Sequence, residues 1–359
     1  GWKKVRTEDG FVGFIKSGSL KKTITEQTSR KFKEQVYQNI SKDYTINMAW
    51  HVISNRDANN TVLETIANAT GLTTVSPTWF MLRDTKGNIR SLASSQYVNY
   101  AHQTKVDVWA MVKDFDGGIG SPEETLELLS RTSNRERLIS QLISEVLKYH
   151  IDGINVDFEN VSKECGEHYL QFLRELSLKC RQNEIVLSVD NPVPSQYSTQ
   201  YNLEEQGKIV DYVIIMGYDE HYHGSGDPGS VASIDYVSYG IDKTMEEVPT
   251  DKIVNGVPFY SILWKTEGTK VTDDYLTMNN TADFLKRVGQ TGVWDEETQQ
   301  NYYEWQSGSA LYQLWAEDEQ SISVKLNVMR AKEIAGVAVW RLGYGTLKAW
   351  EMINAYVNS

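Results

Sequence analysis

Ile151-Asp152-Gly153-Ile154-Asn155-Val156-Asp157-Phe158-Glu159 alternates apolar and polar side chains over its last six positions. A β-strand sends successive side chains to opposite faces. Asn155, Asp157 and Glu159 therefore share one face at intervals of about 7 Å, while Ile154, Val156 and Phe158 point into packing. An exposed antiparallel strand would alternate in the same way, so the pattern alone does not decide the fold. The decisive feature is two carboxylates stacked at the C-terminal end of the strand, because in a (β/α)₈ barrel that end carries the chemistry. The competing readings are a solvated acidic strand end and an incidental cation site.

Working outward, from residue 45 the chain repeats strand, loop and helix. Strands are predicted over 45–52, 73–80, 106–112, 152–159, 185–190, 212–218, 253–259 and 336–342. Most are short runs rich in Val and Ile, as strands buried on both faces should be. The clearest helix runs from 135 to 150, with Ile139, Leu142, Ile143, Val146 and Leu147 at helical spacing. Another follows Glu159, carrying Tyr169, Phe172, Leu173, Leu176 and Cys180. Eight strands joined by seven crossovers point to a TIM barrel. One crossover, from 259 to 336, is far longer than an ordinary loop and is rich in aromatics, among them Trp264, Tyr275, Trp294, Trp305 and Trp315. Most of these are expected to fill a small core of their own, with a few, such as Trp264, facing a groove.

The opening segment resembles the fourth-strand signature of glycoside hydrolase family 18, the chitinase-like enzymes: Asp-Gly-x-Asp-x-Asp-x-Glu. Asp152, Gly153, Asp157 and Glu159 match, and Asn155 replaces the middle aspartate. Met216-Gly217-Tyr218-Asp219 is similar to the family's Met-x-Tyr-Asp, and Trp340 falls where the family has a tryptophan under the −1 sugar. Trp79 and Trp109 lie on the second and third strands, and Asp190-Asn191 ends the fifth. The resemblance spans roughly residues 40 to 359 and implies an α/β (β/α)₈ domain, with a small α+β insertion at about 262–318 walling one side of a substrate groove.

It also implies a chemistry, substrate-assisted hydrolysis of β-1,4 bonds at N-acetylglucosamine in peptidoglycan or chitin. Glu159 would act as the acid, Asp157 would orient the 2-acetamido N–H, and Tyr218 would hold the acetamido oxygen. Substrate contacts would come from Trp340, Asp219, Met216, Asn155, Asp152, Asn191, Trp79 and Trp264. A general acid working near neutral pH needs a raised pKa, and burial together with the charge of Asp157 pushes Glu159 that way. Asn155 is expected to keep a hydrogen bond with Asp157 while removing one negative charge. The segment Gly-Ile-Asn-Val-Asp-Phe-Glu-Asn further resembles spore-cortex-lytic members, which favours an extracellular, wall- or spore-associated bacterial setting.

Residues 1–22 read as a separate unit: Gly-Trp-Lys-Lys-Val-Arg-Thr, a turn at Glu8-Asp9-Gly10, then Phe-Val-Gly-Phe-Ile. They resemble the closing strands of a bacterial SH3-type module, whose remainder would have preceded Gly1; an edge hairpin on the main domain is the alternative. Gly1 itself reads as a cut or matured end, so the lack of a leader says little about export.

The 359 residues suffice for one barrel with an appendage. No stretch reaches the roughly 18 unbroken apolar residues of a membrane helix. The net charge of −12 argues against nucleic acid as a partner; the expected partner is a polysaccharide, and the chain is expected to be a monomer. Cys165 and Cys180, if both helical, lie about 22 Å apart, beyond the ~7 Å reach of a disulfide. No cofactor is expected. A metal site on Asp152, Asp157 and Glu159 is a weaker reading, since the six histidines form no ligand pair. The other competing function is a lectin-like barrel that binds sugar without cleaving it, but such members usually lack the glutamate that is present here.

Overall fold

The computed structural model describes residues 1–6, 12–22 and 39–359, which divide into two compact units, Gly1–Gln38 and Asn39–Ser359. In the first, Trp2–Arg6 pairs antiparallel with Val12–Lys16, from Trp2 opposite Lys16 to Arg6 opposite Val12. The turn at Glu8-Asp9-Gly10 lies outside the described residues.

The second unit is the barrel. Its eight parallel strands, numbered here around the barrel, are β1 (Ile46–His51), β2 (Thr74–Pro77), β3 (Asp107–Lys113), β4 (Gly153–Asp157), β5 (Val186–Pro192), β6 (Tyr212–Met216), β7 (Ile253–Pro258) and β8 (Gly336–Trp340). All eight coincide with predicted strands. Each pairs with the next, and β8 pairs with β1 from Gly336–Ile46 to Val339–Ala49, so the sheet closes. Nearly every strand residue is buried, because helices cover the outer face and side chains fill the interior.

Local chemistry explains the crossovers. The helix Pro122–Leu129 starts with Ser121, whose hydroxyl accepts the Glu124 N–H, and with proline in its first turn. The helix Thr132–Tyr149 ends on His150 in the left-handed region, and its apolar stripe of Leu138, Ile139, Leu142 and Val146 is buried. Next comes Gly153, the glycine of the opening motif. A Cβ there would lie 2.6 Å from Cδ1 of Trp109 on the neighbouring strand, so the indole stacked on Tyr212 at 5.3 Å leaves room only for hydrogen. The helix Gly166–Gln182 carries Cys180, with Cys165 at its N-cap; both thiols are buried and free.

Two features interrupt the eightfold pattern. A short hairpin, Phe80–Leu82 with Ile89–Ser91, extends the end of β2, where the sequence had suggested one longer strand. Between β7 and β8, five antiparallel strands and one helix (Met278–Val288) form the insertion, from Tyr260 to Ala316. It has its own small core around Leu263, Leu285, Leu314 and Ala316, against which Phe284, Tyr303, Trp305 and Tyr312 pack. Four of its aromatics are thus spent internally, while Trp264 and Trp315 pack into the main core.

Candidate active site

At the C-terminal end of the barrel a cleft of about 400 Å³ opens over β4, β5, β6 and β8. Its walls include Asp157, Glu159, Asp190, Met216, Tyr218, Asp219 and Trp340, joined by Trp50, Phe115, Tyr236, Tyr260 and Tyr275. Six of the residues expected from sequence meet here: Asp157, Glu159, Met216, Tyr218, Asp219 and Trp340.

Five others do not. Asp152 sits at the opposite end of β4, where its Oδ2 accepts from the Val108 N–H and pairs with His102 Nε2, both at 2.8 Å. The strand runs from it toward the cleft, so Asp152 cannot join Asp157 and Glu159 around a ligand or a metal. Asn191 follows the inward-facing Asp190, so alternation turns it outward, where its amide exchanges hydrogen bonds with Gln206. Trp79 is fully buried in the wall and donates to Asn59 Oδ1 at 2.8 Å. Trp264 is fully buried too and donates to the Gly229 carbonyl, tying down the loop after β6 instead of facing the groove. Tyr260 and Tyr275 supply the aromatic surface that the insertion presents to the cleft.

Asn155 lies beneath the cleft, 0% exposed. Its Nδ2 donates to Asp190 Oδ1 (2.7 Å) and Ser188 Oγ (3.0 Å), and its Oδ1 accepts from Ser76 Oγ (3.0 Å) and Trp50 Nε1 (3.1 Å). Its bonds therefore run across to β5, β2 and β1, and the expected bond to Asp157 is replaced by one to Asp190. Asp190 was the residue to find. The alternation of Ser188-Val189-Asp190 groups it with Ser188 on one face, and the strand register makes that face the inward one.

The acidic groups are held differently. Asp157 is 4% exposed, and its Oδ1 is buried without a hydrogen-bond partner among the described residues. Burial, then the charges of Asp190 and Glu159, hold its carboxyl well above the usual range. Asp190 is likewise raised by burial, although Asn155 and Trp50 donate to it. Glu159 stands just past the strand end, open to the water of the cleft but crowded by the barrel mouth. Burial, followed by the charges of Asp114 and Asp219, lifts it to about 7. Its N–H is fixed by Asp114 Oδ1 at 2.9 Å, and the Asn160 N–H by Asp114 Oδ2 at 3.0 Å.

The remaining walls are aromatic. Trp50 lies 5.9 Å from Trp340, ring to ring, and edge-on to Tyr218 at 6.3 Å. The Tyr218 hydroxyl is pushed far up by burial and by the surrounding acids, so it remains a hydrogen-bond donor. Asp219 adopts the left-handed backbone conformation (φ 61) and accepts the Tyr260 hydroxyl.

A cleft with the Trp340 indole in its wall and a carboxyl raised to about 7 suits the stacking of sugar faces and the protonation of an acetal oxygen. On this fold it defines a glycoside hydrolase. The chain belongs to the glycosyl hydrolases family 18, whose family model matches residues 44–345. It is 26% identical over 282 residues to an uncharacterized glycosylase, YvbX, of Bacillus subtilis (strain 168), a match that takes in 75% of this chain and 80% of the relative. To the cortical fragment-lytic enzyme of Bacillus anthracis it is 24% identical over 270 residues, 72% of this chain; the chain spans 62% of that relative's length. Among solved structures, the spore cortex-lytic enzyme SleL of Bacillus cereus superposes with a TM-score of 0.79 at 21% identity, covering 87% of this chain and 74% of that one. A chitinase of Chromobacterium violaceum gives 0.78 at 21% identity, covering 88% and 99%.

Proposed function

We propose that this barrel hydrolyses β-1,4 bonds at N-acetylglucosamine by substrate-assisted, retaining catalysis, with peptidoglycan of the spore cortex as the polymer. The observation that carries the mechanism is Asp157 Oδ1, a buried acceptor without a donor, set in one cleft with Glu159 and Tyr218. A buried polar atom left unpaired costs about 1–3 kcal/mol, which an incoming N–H would recover. The 2-acetamido group brings both that N–H and a carbonyl oxygen able to accept from the Tyr218 hydroxyl.

In the first step Glu159 gives its proton to the glycosidic oxygen. The C1–O bond breaks as the acetamido oxygen bonds to C1, forming an oxazolinium ion whose positive charge Asp157 offsets. The Glu159 carboxylate then takes a proton from water, whose oxygen adds to C1 and opens the ring with the original anomeric configuration. Trp340 supplies the surface on which the sugar stacks, with the buried Trp50 packed against it. The relatives named for cortical fragments and spore cortex support the choice of polymer and an extracellular or spore-associated setting. Chitin, named for other relatives and neighbours, is the second candidate. The Trp2–Lys16 hairpin fits the proposal as the closing part of an SH3-type module.

Chitooligosaccharides assayed beside purified cortex peptidoglycan, with products read by mass spectrometry, test the polymer. Thiazoline analogues of the oxazolinium ion test the mechanism. Inhibition by them, with no cleavage beside unacetylated glucosamine, is the expected result; a trapped glycosyl ester on Glu159 would overturn it.

A further inference from the structure

The fourth strand of this chain carries an amide, Asn155, where the family signature has its middle carboxylate, while the fifth strand carries a buried carboxylate, Asp190. These two residues are hydrogen-bonded at 2.7 Å. The strand register gives the relation a height. Asn155 pairs with Ser188 and Val156 with Val189, so one further step along the two parallel strands brings Asp157 level with Asp190. Neighbouring strands lie about 4.8 Å apart, and the parity shared with Asn155 and Ser188, whose side chains bond to each other, turns both carboxylates into the barrel. Both line the same cleft, and they are 4% and 1% exposed.

We propose that Asp190 is a positioning residue which replaces, from the fifth strand, the carboxylate absent at residue 155, and that it shares one proton with Asp157. The proposal rests on the substrate-assisted reading given above for what Asp157 does.

Two buried carboxylates side by side cannot both ionise cheaply, so the pair keeps one proton through the neutral range. The donors decide where it sits. Asp190 receives Asn155 Nδ2 on Oδ1 and Trp50 Nε1 on Oδ2, at 2.7 and 3.2 Å, which suits it to the negative charge. Asp157 has an acceptor with no donor, so in the empty cleft the proton belongs on Asp157. When a substrate N–H reaches Asp157, the O–H bond on Asp157 breaks and one forms on Asp190, the pair keeping a net charge of −1. Asn155 is then the neutral bracket that holds Asp190 in place. The other charged or titratable groups near the pair are Glu159 just past the end of its own strand, Lys113 and Asp114 at the end of β3, Tyr218 after β6, Tyr169 from the helix outside β4, and Tyr201 from the segment after β5. None of them is substituted in the test.

The test compares wild type, Asn155→Asp, Asp190→Asn and the exchange Asn155→Asp/Asp190→Asn. It follows the side-chain carboxyl carbon of Asp157 by NMR as a function of pH, and the pH dependence of kcat/KM on a chitooligosaccharide. Asp190→Asn removes the like charge, so Asp157 should titrate lower and the acidic limb should move down by about one unit or more. Asn155→Asp adds a third carboxylate and should move both upward. The exchange keeps one amide and one carboxylate at the two positions and should return both toward wild type, even if Asp190→Asn alone does not fold. An unchanged Asp157 titration in Asp190→Asn, or an exchange variant in which Asp157 titrates as an ordinary carboxylate, would overturn the proposal. Because the titration needs no turnover, it separates this outcome from failure of thiazoline inhibition, which bears on the mechanism alone.

Discussion

Asp114 and Glu159 are joined through the backbone of one and the carboxylate of the other: Asp114 Oδ1 accepts the Glu159 N–H at 2.9 Å. Asp114 is also the charged neighbour that raises the Glu159 carboxyl most. One fully buried side chain from the end of β3 thus holds the backbone of the acid in place and adds its charge to the burial that keeps the proton on. Thr125 Oγ1, which donates to Asp114 Oδ2 at 3.0 Å, holds that side chain in turn.

Asp114→Asn should therefore act in two ways. Losing the charge lowers the Glu159 pKa from about 7, so the alkaline limb of kcat/KM should move toward lower pH by about half a unit or more. An amide placed among several N–H donors also loses an acceptor, and urea unfolding should show a loss of about 1–3 kcal/mol. A wild-type alkaline limb would mean that Asp114 does not act on the acid.

Glu159→Gln keeps the shape of the side chain and removes its proton. A general acid contributes about 10²- to 10⁴-fold, and a group acting on the transition state affects kcat far more than binding. Turnover of a chitooligosaccharide should fall within that range while oligosaccharide affinity, read by calorimetry, stays near wild type. More than about a tenth of wild-type kcat would refute the role.

Stability should depend on pH through the buried pair. Asp157 and Asp190 are raised from an ordinary value of 3.8, so above that value the folded state binds more protons than the unfolded one. Stability then falls as pH rises from about 4 through the raised range. Thermal unfolding between pH 5 and 8 should show this decline, and Asp190→Asn should flatten it. A slope unchanged by the substitution would count against burial as the cause.

Gly153→Ala puts a methyl group 2.6 Å from the Trp109 ring. Overpacking of this kind costs about 1–3 kcal/mol, to be read as a lower urea midpoint at unchanged m-value. An alanine variant as stable as wild type would show that the indole moves away freely.

The barrel strands were legible because a strand buried on both faces leaves a dense β-branched run, and eight such runs leave few arrangements. The insertion was legible as an overlong crossover rich in rings. What sequence could not supply was direction. Asp152 and Glu159 belong to one short motif, yet a strand has two ends, and only the second of them reaches the cleft. Asp190 and Asn191 are neighbours whose opposite facing depends on the register of β5. Trp264 looks like a groove residue by type, but its N–H is turned inward to the Gly229 carbonyl in the loop after β6. Asp114 left no local signal, because the backbone N–H groups it holds lie 45 and 46 positions away.

The pairing of β8 with β1 has a consequence for the order in which the molecule becomes useful. Trp50 and Trp340, 5.9 Å apart, come from the first and last staves of the barrel. A chain emerging from the ribosome builds its amino-terminal parts first, so the acid on β4 exists long before there is a floor beneath a sugar. Only when residue 340 is free can the last stave seat against the first, and sealing the barrel and furnishing the cleft are then the same event. A nascent or truncated chain that carries the acidic groups of the cleft but stops short of residue 340 would remain a blunt instrument, inert toward any glycan it meets before it is whole.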